Sequence, residues 1–368
     1  MKVLLIFGTR PEAIKMSPLI LLLRKTIEVK VCVTGQHRQM LDQVLELFKI
    51  VPDFDLNLMK SNQNLANLTA EIINGVSNIF QNEKFDWVFV QGDTTSSMAA
   101  TMTAFYHNIP VGHVEAGLRT YDFNSPFPEE FNRQIISKIA QLHFAPTDAN
   151  KQNLLKEGFS EKNITITGNT GIDALKWALK HTSKTTLELP INLEKSKMIL
   201  VTGHRRENFG NRFEKICEAL SKIALEKPNI QIVYPVHFNP NVREPVTRNL
   251  SKIPNIHLLE PLEYTQFVHL MNLSTIILTD SGGIQEEAPS LGKPVLVMRD
   301  TTERKEAIKA GTVKLVGTDI QTIVRETFLL LDNTEAYKKM SIANNPYGNG
   351  TASEKIMVAL LNYQGKHV

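Results

Sequence analysis

The stretch Val3-Leu4-Leu5-Ile6-Phe7, followed at once by Gly8-Thr9-Arg10-Pro11-Glu12, decides the expected fold. Such an unbroken apolar run is typical of a strand that is buried on both faces. Gly8 lets the backbone turn, and Pro11 suits the first turn of a helix, where its missing N–H costs nothing. A strand, a turn and a helix in this order predict the first unit of a doubly wound, parallel α/β sheet.

The same alternation continues along the chain. Short apolar runs predict the strands Val3–Phe7, Val29–Thr34, Trp87–Gln91, Val111–Val114, Leu142–Ala145 and Ile164–Thr167, then Met198–Thr202, Ile230–Pro235, Ile256–Leu259, Thr275–Thr279, Pro294–Met298 and Val313–Val316. Amphipathic patterns predict helices such as Ala13–Arg24, Arg38–Phe48, Leu65–Phe80 and Thr95–His107, and helices that begin near Arg212, Val242, Thr265, Gly283 and Thr302. This order favours two Rossmann-like sheets.

The length of 368 residues also favours two domains, since one core needs only ~100–150 residues. We expect an N-terminal domain over residues 1–170 and a C-terminal domain over 171–351, with a polar surface segment, His181–Lys197, near their junction. A last helix, within residues 352–368, is expected to pack back on the first domain. Ligands of such sheets bind beyond the carboxyl ends of the strands, so two facing sheets would place the site in a cleft.

Composition excludes several classes of protein. The net charge of +3, from 41 basic and 38 acidic residues, is too small for a dedicated nucleic-acid binder, and 42% hydrophobic residues exclude a disordered chain. Cys32 and Cys217 suit a reduced compartment without a disulfide framework or a structural zinc site. The apolar start is too short for a signal peptide, and no run approaches the ~20 apolar residues of a membrane span. We therefore expect a cytoplasmic protein without membrane or nucleic-acid partners.

Acidic residues follow neighbouring strands of the first half. Asp93 and Glu115 come directly after predicted strands, and Glu129 opens a helix. Helix capping also explains Asp93, and the helix dipole explains Glu129, but burial of a carboxylate such as Glu115 needs a partner. Three carboxylates at one sheet edge predict acid–base chemistry. Arg10 and Lys15, near a helix N-terminus, suit a phosphate, although solvated surface cations would look the same.

The second half supplies cations and glycines after its strands. His204 follows the first strand, and Asp280-Ser281-Gly282-Gly283 follows a later buried strand. Small residues at a helix start expose backbone N–H groups that can bind a diphosphate, and Glu287, one turn on, can accept both hydroxyls of a ribose. A surface loop and a turn would explain the same residues structurally.

Taken together, these residues resemble the bacterial non-hydrolysing UDP-N-acetylglucosamine 2-epimerases. The matching strings run in order along nearly the whole chain: GTRPEAIK (Gly8–Lys15), QHRQMLDQVL (Gln36–Leu45), GDTTS (Gly92–Ser96), HVEAGLRT (His113–Thr120), SPFPEEFNR (Ser125–Arg133), HRREN (His204–Asn208), DSGGIQEEAPSLGKPVL (Asp280–Leu296) and RDTTER (Arg299–Arg304). The resemblance implies two Rossmann-like domains in a GT-B-like architecture, a homodimer, and interconversion of UDP-GlcNAc and UDP-ManNAc without cofactor or metal.

The family's pattern also implies a role for particular residues. The resemblance implies that the catalytic residues are Asp93, Glu115, Glu129 and His204. All of these except Glu129 are also implied to bind the substrate. The remaining implied substrate contacts are Arg10, Lys15, Leu262, Phe267, Ser281, Gly282, Gly283, Glu287 and Arg304. A second nucleotide-sugar site, for activation by UDP-GlcNAc, maps onto Gln36, Gln39, Glu129, Arg205 and His237. The chain departs from the family at three positions: some members carry Arg at the position of Asn62, Gln is frequent at that of Leu262, and Pro is common at that of Lys305.

Other functions share parts of this pattern. An epimerase for another UDP-2-acetamido sugar, such as a UDP-2,3-diacetamido uronate, would carry the same nucleotide motifs. A hydrolysing epimerase would release UDP, and the intact HVEAGLRT and SPFPEE strings favour the non-hydrolysing type. A GT-B glycosyltransferase does not need the three carboxylates. A UDP-sugar sensor would bind without turnover.

Overall fold

A computed structural model describes residues 1–35, 38–58, 63–181 and 196–363 of the chain. The chain separates into two compact units: unit 1 is Met1–Ala174 with the segment that starts at Tyr347, and unit 2 is Leu175–Pro346. Most of the predicted polar segment, residues 182–195, lies outside the described residues. No helix in the described part of the chain has the length and apolar character that crossing a membrane requires.

Unit 1 is built on a parallel sheet of seven strands. The strands are β1 (Lys2–Phe7), β2 (Glu28–Val33), β3 (Phe54–Asp55), β4 (Trp87–Gln91), β5 (Val111–Val114), β6 (Leu142–Ala145) and β7 (Ile164–Ile166). Their order across the sheet is β3-β2-β1-β4-β5-β6-β7. Because β1 pairs with β2 on one side and β4 on the other, the winding reverses between β1 and β4, which is the switch point of a Rossmann-like sheet.

Helices cover both faces of this sheet, as a parallel sheet requires. They are α1 (Arg10–Leu23), α2 (Arg38–Leu47), α3 (Leu65–Asn82), α4 (Thr95–Tyr106), α5 (Glu129–Ile139), α6 (Asp148–Lys156) and α7 (Thr170–His181), with a 3₁₀ turn at Glu161–Asn163. The division between the units falls within α7. The central strands are fully buried, and Val3–Phe7 has no exposed side chain.

Unit 2 repeats the plan with six parallel strands. They are β8 (Met198–Thr202), β9 (Gln231–Pro235), β10 (Ile256–Leu259), β11 (Ile276–Thr279), β12 (Val295–Val297) and β13 (Val313–Leu315), in the order β10-β9-β8-β11-β12-β13. Its helices are α8 (Asn211–Glu226), α9 (Pro240–Leu250), α10 (Tyr264–Leu273), α11 (Gly282–Glu287), α12 (Lys305–Ala310), α13 (Ile320–Asp332) and α14 (Thr334–Ser341), with 3₁₀ turns at Arg206–Asn208 and Ala288–Leu291. The switch point lies between β8 and β11.

The predicted fold class, two Rossmann-like parallel sheets, is confirmed. Every predicted strand appears within about one residue of its predicted ends. The two-residue strand Phe54–Asp55 was not predicted, because it carries one apolar side chain and only extends the edge beside β2. The helix expected near Thr302 begins at Lys305, since Thr302 is buried and its hydroxyl donates to Gln285 Oε1 at 2.8 Å.

The last helix, α15 (Ala352–Leu361), belongs to unit 1 and packs against α1. Asp173 accepts the backbone N–H groups of Ala352 and Ser353 at 3.2 and 2.8 Å, which satisfies two of the donors that a helix N-terminus leaves open. Ile356 is fully buried, whereas Val358, on the opposite side of the helix, is 52% exposed.

This difference gives a test of how much α15 contributes to stability. Ile356→Ala should lower the free energy of unfolding by about 2–4 kcal/mol because it removes a buried side chain and leaves a cavity. Val358→Ala should change it by less than about 0.5 kcal/mol. Thermal unfolding followed by circular dichroism measures both variants, and equal melting temperatures would show that α15 is not part of the folded core.

Candidate active site

The switch point of unit 1 is held together by a buried carboxylate, Glu12, which is 1% exposed. Glu12 Oε2 accepts the backbone N–H of Gly8 at 3.1 Å, and the backbone N–H and hydroxyl of Thr9 at 2.8 and 2.7 Å. Glu12 Oε1 accepts the hydroxyls of Thr94 and Ser97 at 2.7 and 3.0 Å. One side chain therefore joins the loop after β1 to the loop after β4. This role of Glu12 was not predicted, although an acidic residue in the first turn of a helix is a recognised capping signal.

Gly8 is required by close packing at this point. A Cβ on Gly8 would lie 2.1 Å from Thr34 Oγ1 and 2.6 Å from Ser96 Oγ, and these two hydroxyls are themselves hydrogen-bonded at 2.9 Å. The loop that carries Arg10 thus lies directly on the ends of β2 and α4. Arg10 is half-buried at the start of α1, as the sequence predicted for its position.

Asp93 is fixed by its backbone as well as by its side chain. The preceding Gly92 has φ +68°, donates its N–H to Val114 O at 2.9 Å, and accepts a hydrogen bond from His113 Nε2 at 2.8 Å. The backbone carbonyl of Asp93 accepts the side-chain amide of Asn132 at 2.9 Å. The turn that carries Asp93 is therefore anchored to β5 and to α5.

The carboxylate of Asp93 forms an ion pair with Arg133 of α5. Burial raises the pKa of Asp93 above its ordinary value, and the charges of Glu115 and Glu129 raise it further, while Arg133 opposes the shift. Glu115 and Glu129 therefore lie close enough to Asp93 to affect its protonation, so the structure brings the three predicted carboxylates together. Asn132 and Arg133 were in the quoted SPFPEEFNR string, but no sequence signal gave them these partners.

Glu115 occupies a strained backbone position at the end of β5. Its φ is +66°, a left-handed conformation that a non-glycine residue adopts at a cost of about 1 kcal/mol or more. One oxygen of the carboxylate, Oε2, contacts Lys15 Nζ at 2.5 Å and accepts the Gln91 side-chain amide at 2.6 Å. Lys15, predicted to contact the nucleotide, thus bridges to a predicted catalytic carboxylate.

Glu129 and Glu130 have different environments although they are adjacent. Glu129, the first residue of α5, has a buried Oε2 without a hydrogen-bond partner among the described residues. Glu130 is fully buried, and although burial alone would raise its pKa, hydrogen bonds from Gln134 and from the backbone of Thr120 and Tyr121 hold it below the ordinary value. Glu130 therefore has a structural role, and Glu129 has an oxygen available for another group.

Unit 2 has its own buried carboxylate at the switch point. Asp280, after β11, is fully buried, and its Oδ2 accepts the backbone N–H groups of His204 and Arg205, both at 2.9 Å. The side-chain amide of Asn208 donates to the same oxygen at 3.3 Å. His204 is exposed, and its ring stacks on that of His237 with centroids 5.3 Å apart. Asp280 belongs to the DSGGIQEEAPSLGKPVL string, but its contacts with the backbone of the loop after β8 were not predicted.

The Ser281-Gly282-Gly283 segment starts α11 beside Arg304. A Cβ on Gly282 would lie 2.8 Å from Arg304 Cζ, so this guanidinium rests on the glycine backbone. Arg304 also pairs with Glu286 at 2.8 Å and with Glu303 at 2.7 Å. The predicted residues of this segment are therefore neighbours, and Arg304 is held in a charged network.

The remaining predicted residues lie as follows. Half-buried positions in unit 2 are occupied by Leu262, Phe267, Glu287 and Arg205, whereas His237 is exposed. Phe267 lies on α10, and Lys305 is the first residue of α12. Gln36 and Asn62 lie outside the described residues, as does the side chain of Gln39. No group of three or more His, Cys, Asp or Glu residues in the described ranges could hold a metal ion.

The fold and the residues at its two switch points define a class, that of proteins with two Rossmann-like domains, in which ligands bind where the strand order reverses. A family model described as UDP-N-acetylglucosamine 2-epimerase matches residues 21–361. The UDP-N-acetylglucosamine 2-epimerase of Escherichia coli K12 is 58% identical over 371 residues, covering 98% of this chain and 99% of the relative. The enzyme of Salmonella typhimurium LT2 is 56% identical over 373 residues, covering 99% of both.

Solved structures agree with this match. The crystal structure of UDP-GlcNAc 2-epimerase from Neisseria meningitidis, bound to UDP-GlcNAc, has a TM-score of 0.91 and 53% sequence identity, and covers 99% of this chain and 100% of that chain. The chain belongs to the UDP-N-acetylglucosamine 2-epimerase family, and the resemblance seen in its motifs is confirmed.

Two buried histidines beside the site give a prediction about pH. Burial lowers the pKa of His113 to about 3 and that of His143, its partner across β5 and β6, to about 4. An unfolded histidine takes up a proton near pH ~6.5. As the pH falls from ~6.5 towards 4, the unfolded chain binds protons that the folded chain does not, so the free energy of unfolding decreases.

His143→Leu should therefore make this decrease shallower, by about 1 kcal/mol per pH unit. His181→Leu, at an exposed histidine, is the control and should leave the slope unchanged. Urea unfolding at intervals between pH 7 and pH 4 measures the slopes. If His143→Leu keeps the wild-type slope, His143 is charged in the folded protein and the assignment is wrong.

Proposed function

We propose that the protein interconverts UDP-N-acetylglucosamine and UDP-N-acetylmannosamine by inverting C2 of the sugar. The observation that carries the proposal is the cluster of Asp93, Glu115 and Glu129 in a chain of this family. Relatives more than 50% identical over nearly their full length are named for this reaction, and one solved relative is bound to UDP-GlcNAc. The protein is accordingly an isomerase.

The chemistry of the substrate explains why carboxylates are needed. No carbonyl group flanks C2, so enolisation cannot loosen its proton. Elimination can: a base removes the C2 proton, the C1–O bond breaks with its electron pair leaving on the β-phosphate of UDP, and a 2-acetamidoglucal remains. Re-addition returns UDP to C1 while an acid delivers a proton to the other face of C2. The overall reaction is balanced and consumes no second reactant.

The carboxylate cluster suits both halves of this cycle. One step needs an ionised carboxylate as base, and the other needs a protonated carboxyl group as acid. The raised pKa of Asp93, which comes mainly from burial and is increased by its acidic neighbours, makes its protonated form more accessible than that of an ordinary aspartate. The ion pair of Lys15 with Glu115 keeps a charge-balancing cation beside the cluster.

Cations and backbone groups are proposed to hold the departing UDP. Arg10, Lys15 and His204 would stabilise the negative charge that develops on the diphosphate. Ser281, Gly282 and Gly283 would bind the diphosphate through a backbone without bulky side chains, and Glu287 would accept the ribose hydroxyls. Phe267 and Arg304, with the backbone near Leu262, would border the uridine.

We further propose that a second UDP-GlcNAc activates the enzyme, and that the protein is a homodimer in the cytoplasm. The activator site would use Gln36, Gln39, Glu129, Arg205 and His237. Glu129 Oε2, which has no hydrogen-bond partner within the described ranges, supports a ligand contact at that residue. The buried free thiols of Cys32 and Cys217 support a reducing compartment. Light scattering during gel filtration tests the dimer.

Activation itself is tested from the UDP-ManNAc side. With UDP-ManNAc as sole substrate the reaction should start slowly and accelerate when UDP-GlcNAc is added at low concentration. His237→Ala should abolish the acceleration. At saturating UDP-GlcNAc, the rate of this variant should lie no more than about tenfold below that of wild type. A constant initial rate, independent of added UDP-GlcNAc, would contradict the activator site and leave the epimerase assignment intact.

The central experiment is incubation of the purified protein with UDP-GlcNAc in heavy water, followed by NMR. We expect UDP-ManNAc that carries deuterium at C2, without added cofactor and with little free ManNAc. Unchanged UDP-GlcNAc would indicate a binding protein, and accumulating UDP with free ManNAc would indicate a hydrolysing epimerase.

Asp93→Asn and Glu115→Gln test the residues. Each should lower kcat by ~10²-fold or more, because neither amide can exchange a proton with C2. The affinity for UDP should stay within a few-fold of wild type, as measured by calorimetry. Asp148→Asn, at an exposed acidic residue that opens α6, is the matched control and should keep full activity. Near-normal turnover in either site variant would reject the role of that residue.

A further inference from the structure

Asp280 has one carboxylate oxygen that is fully used and one that is not. Its Oδ2 accepts hydrogen bonds from the backbone of His204 and Arg205 and from Asn208, as described above. Its Oδ1 is buried and has no hydrogen-bond partner in the described part of the chain. Burial of a carboxylate oxygen without a partner is costly, so a partner is expected nearby.

The imidazole of His204 lies within ion-pair distance of that oxygen. His204 Nδ1 lies 3.7 Å from Asp280 Oδ1, which is an ion-pair distance and becomes a hydrogen bond with a small rotation of the ring. The backbone of His204 is already held by the other oxygen of the same carboxylate. Asp280 therefore holds the main chain of His204 through one oxygen and places the other oxygen close to its ring.

We propose that Asp280 is a positioning residue for His204: it keeps the neutral ring protonated on Nδ1 and stabilises the imidazolium that binds the departing UDP. The proposal rests on the role proposed above for His204. A buried aspartate that orients a histidine and stabilises its charged form is an arrangement that enzymes use with several chemistries. No covalent step is involved, and the proton moves only between His204 and solvent or phosphate.

The charges around His204 determine how it responds to pH. Although part of the ring is exposed, desolvation by the groups packed around it lowers the pKa of His204; Asp280 raises this pKa, and the ring of His237 and the guanidinium of Arg205 lower it. A diphosphate bound beside the ring would add negative charge and raise the pKa further, so protonation would accompany binding. The productive form is the imidazolium, hence activity should fall as the pH rises through the pKa of His204 in the complex. Because Asp280 raises the pKa of His204, it extends the pH range of activity upwards.

Asp280→Asn is the variant of choice because it preserves shape and removes the charge. Its amide oxygen can still accept the backbone N–H groups, but its NH₂ then faces Nδ1 and favours the other tautomer. We expect kcat to fall ~10–10³-fold with KM within about threefold, and the alkaline limb of the kcat profile to move down by about one pH unit. Asp173→Asn, which changes another carboxylate that accepts backbone N–H groups, is the control and should keep wild-type values.

A direct measurement needs no substrate. The ¹⁵N shifts of the His204 ring, assigned by their loss in His204→Asn, report its tautomer and pKa. In wild type the neutral ring should carry its proton on Nδ1, and in Asp280→Asn the proton should move to Nε2 with a lower pKa. A wild-type ring protonated on Nε2 overturns the proposal even if Asp280→Asn does not fold.

The kinetic and spectroscopic results separate this proposal from the proposed function. If wild type does not epimerise UDP-GlcNAc, the function fails, while the ring shifts still decide whether Asp280 controls His204. If wild type is active and Asp280→Asn keeps its kcat, pH profile and ring tautomer, Asp280 is only a structural residue and the proposal is wrong.

Discussion

Each sheet of this protein depends on one buried carboxylate that binds the loops at its switch point. In unit 1, Glu12 accepts hydrogen bonds from the loops after β1 and β4. In unit 2, Asp280 follows β11 and accepts backbone N–H groups from the loop after β8. Parallel strands bring several loops to one edge, and each loop leaves N–H groups that need acceptors. A carboxylate, with two oxygens and about four acceptor positions, satisfies more of them than any neutral side chain.

A buried carboxylate keeps its negative charge away from water. The groups around it determine whether it stabilises the fold or takes part in the chemistry. Glu12 and Glu130 are surrounded by donors and serve the fold. Among the described residues, Asp93 pairs with Arg133 and Glu115 pairs with Lys15, and fewer donors surround these two carboxylates than surround Glu12. The distinction between structural and chemical carboxylates therefore lies in the number of donors around them.

Much of this could be predicted from the sequence, and the reasons are local. Buried parallel strands appear in the sequence as short apolar runs. The ends of β4, β5, β6 and β8 were therefore predicted correctly. The positions of Asp93, Glu115 and Ser281 after strands followed directly. What could not be predicted depends on side chains distant in sequence: the pairing of Arg133 with Asp93 and the hydrogen bonds of Glu12 with Thr94 join residues 40 and 82 positions apart. No local pattern encodes such pairs. The backbone conformation of Glu115 could not be predicted either, because its positive φ would favour glycine at this position.

The closeness of the acidic residues has a consequence for the proposed reaction. Burial raises the pKa of Asp93, and the charges of Glu115 and Glu129 raise it further, so ionisation of these neighbours favours the protonated form of Asp93. Epimerisation in either direction removes a proton from one face of C2 and returns one to the other face, so the acid and base exchange roles when the direction reverses. The proposed mechanism therefore needs, on each face of C2, a carboxyl group that can both take up and release a proton. Arg133 and Lys15 offset part of the negative charge of the cluster through their ion pairs with Asp93 and Glu115. These side chains act on the rates of the two directions, since a catalyst leaves the equilibrium between the two UDP-sugars unchanged.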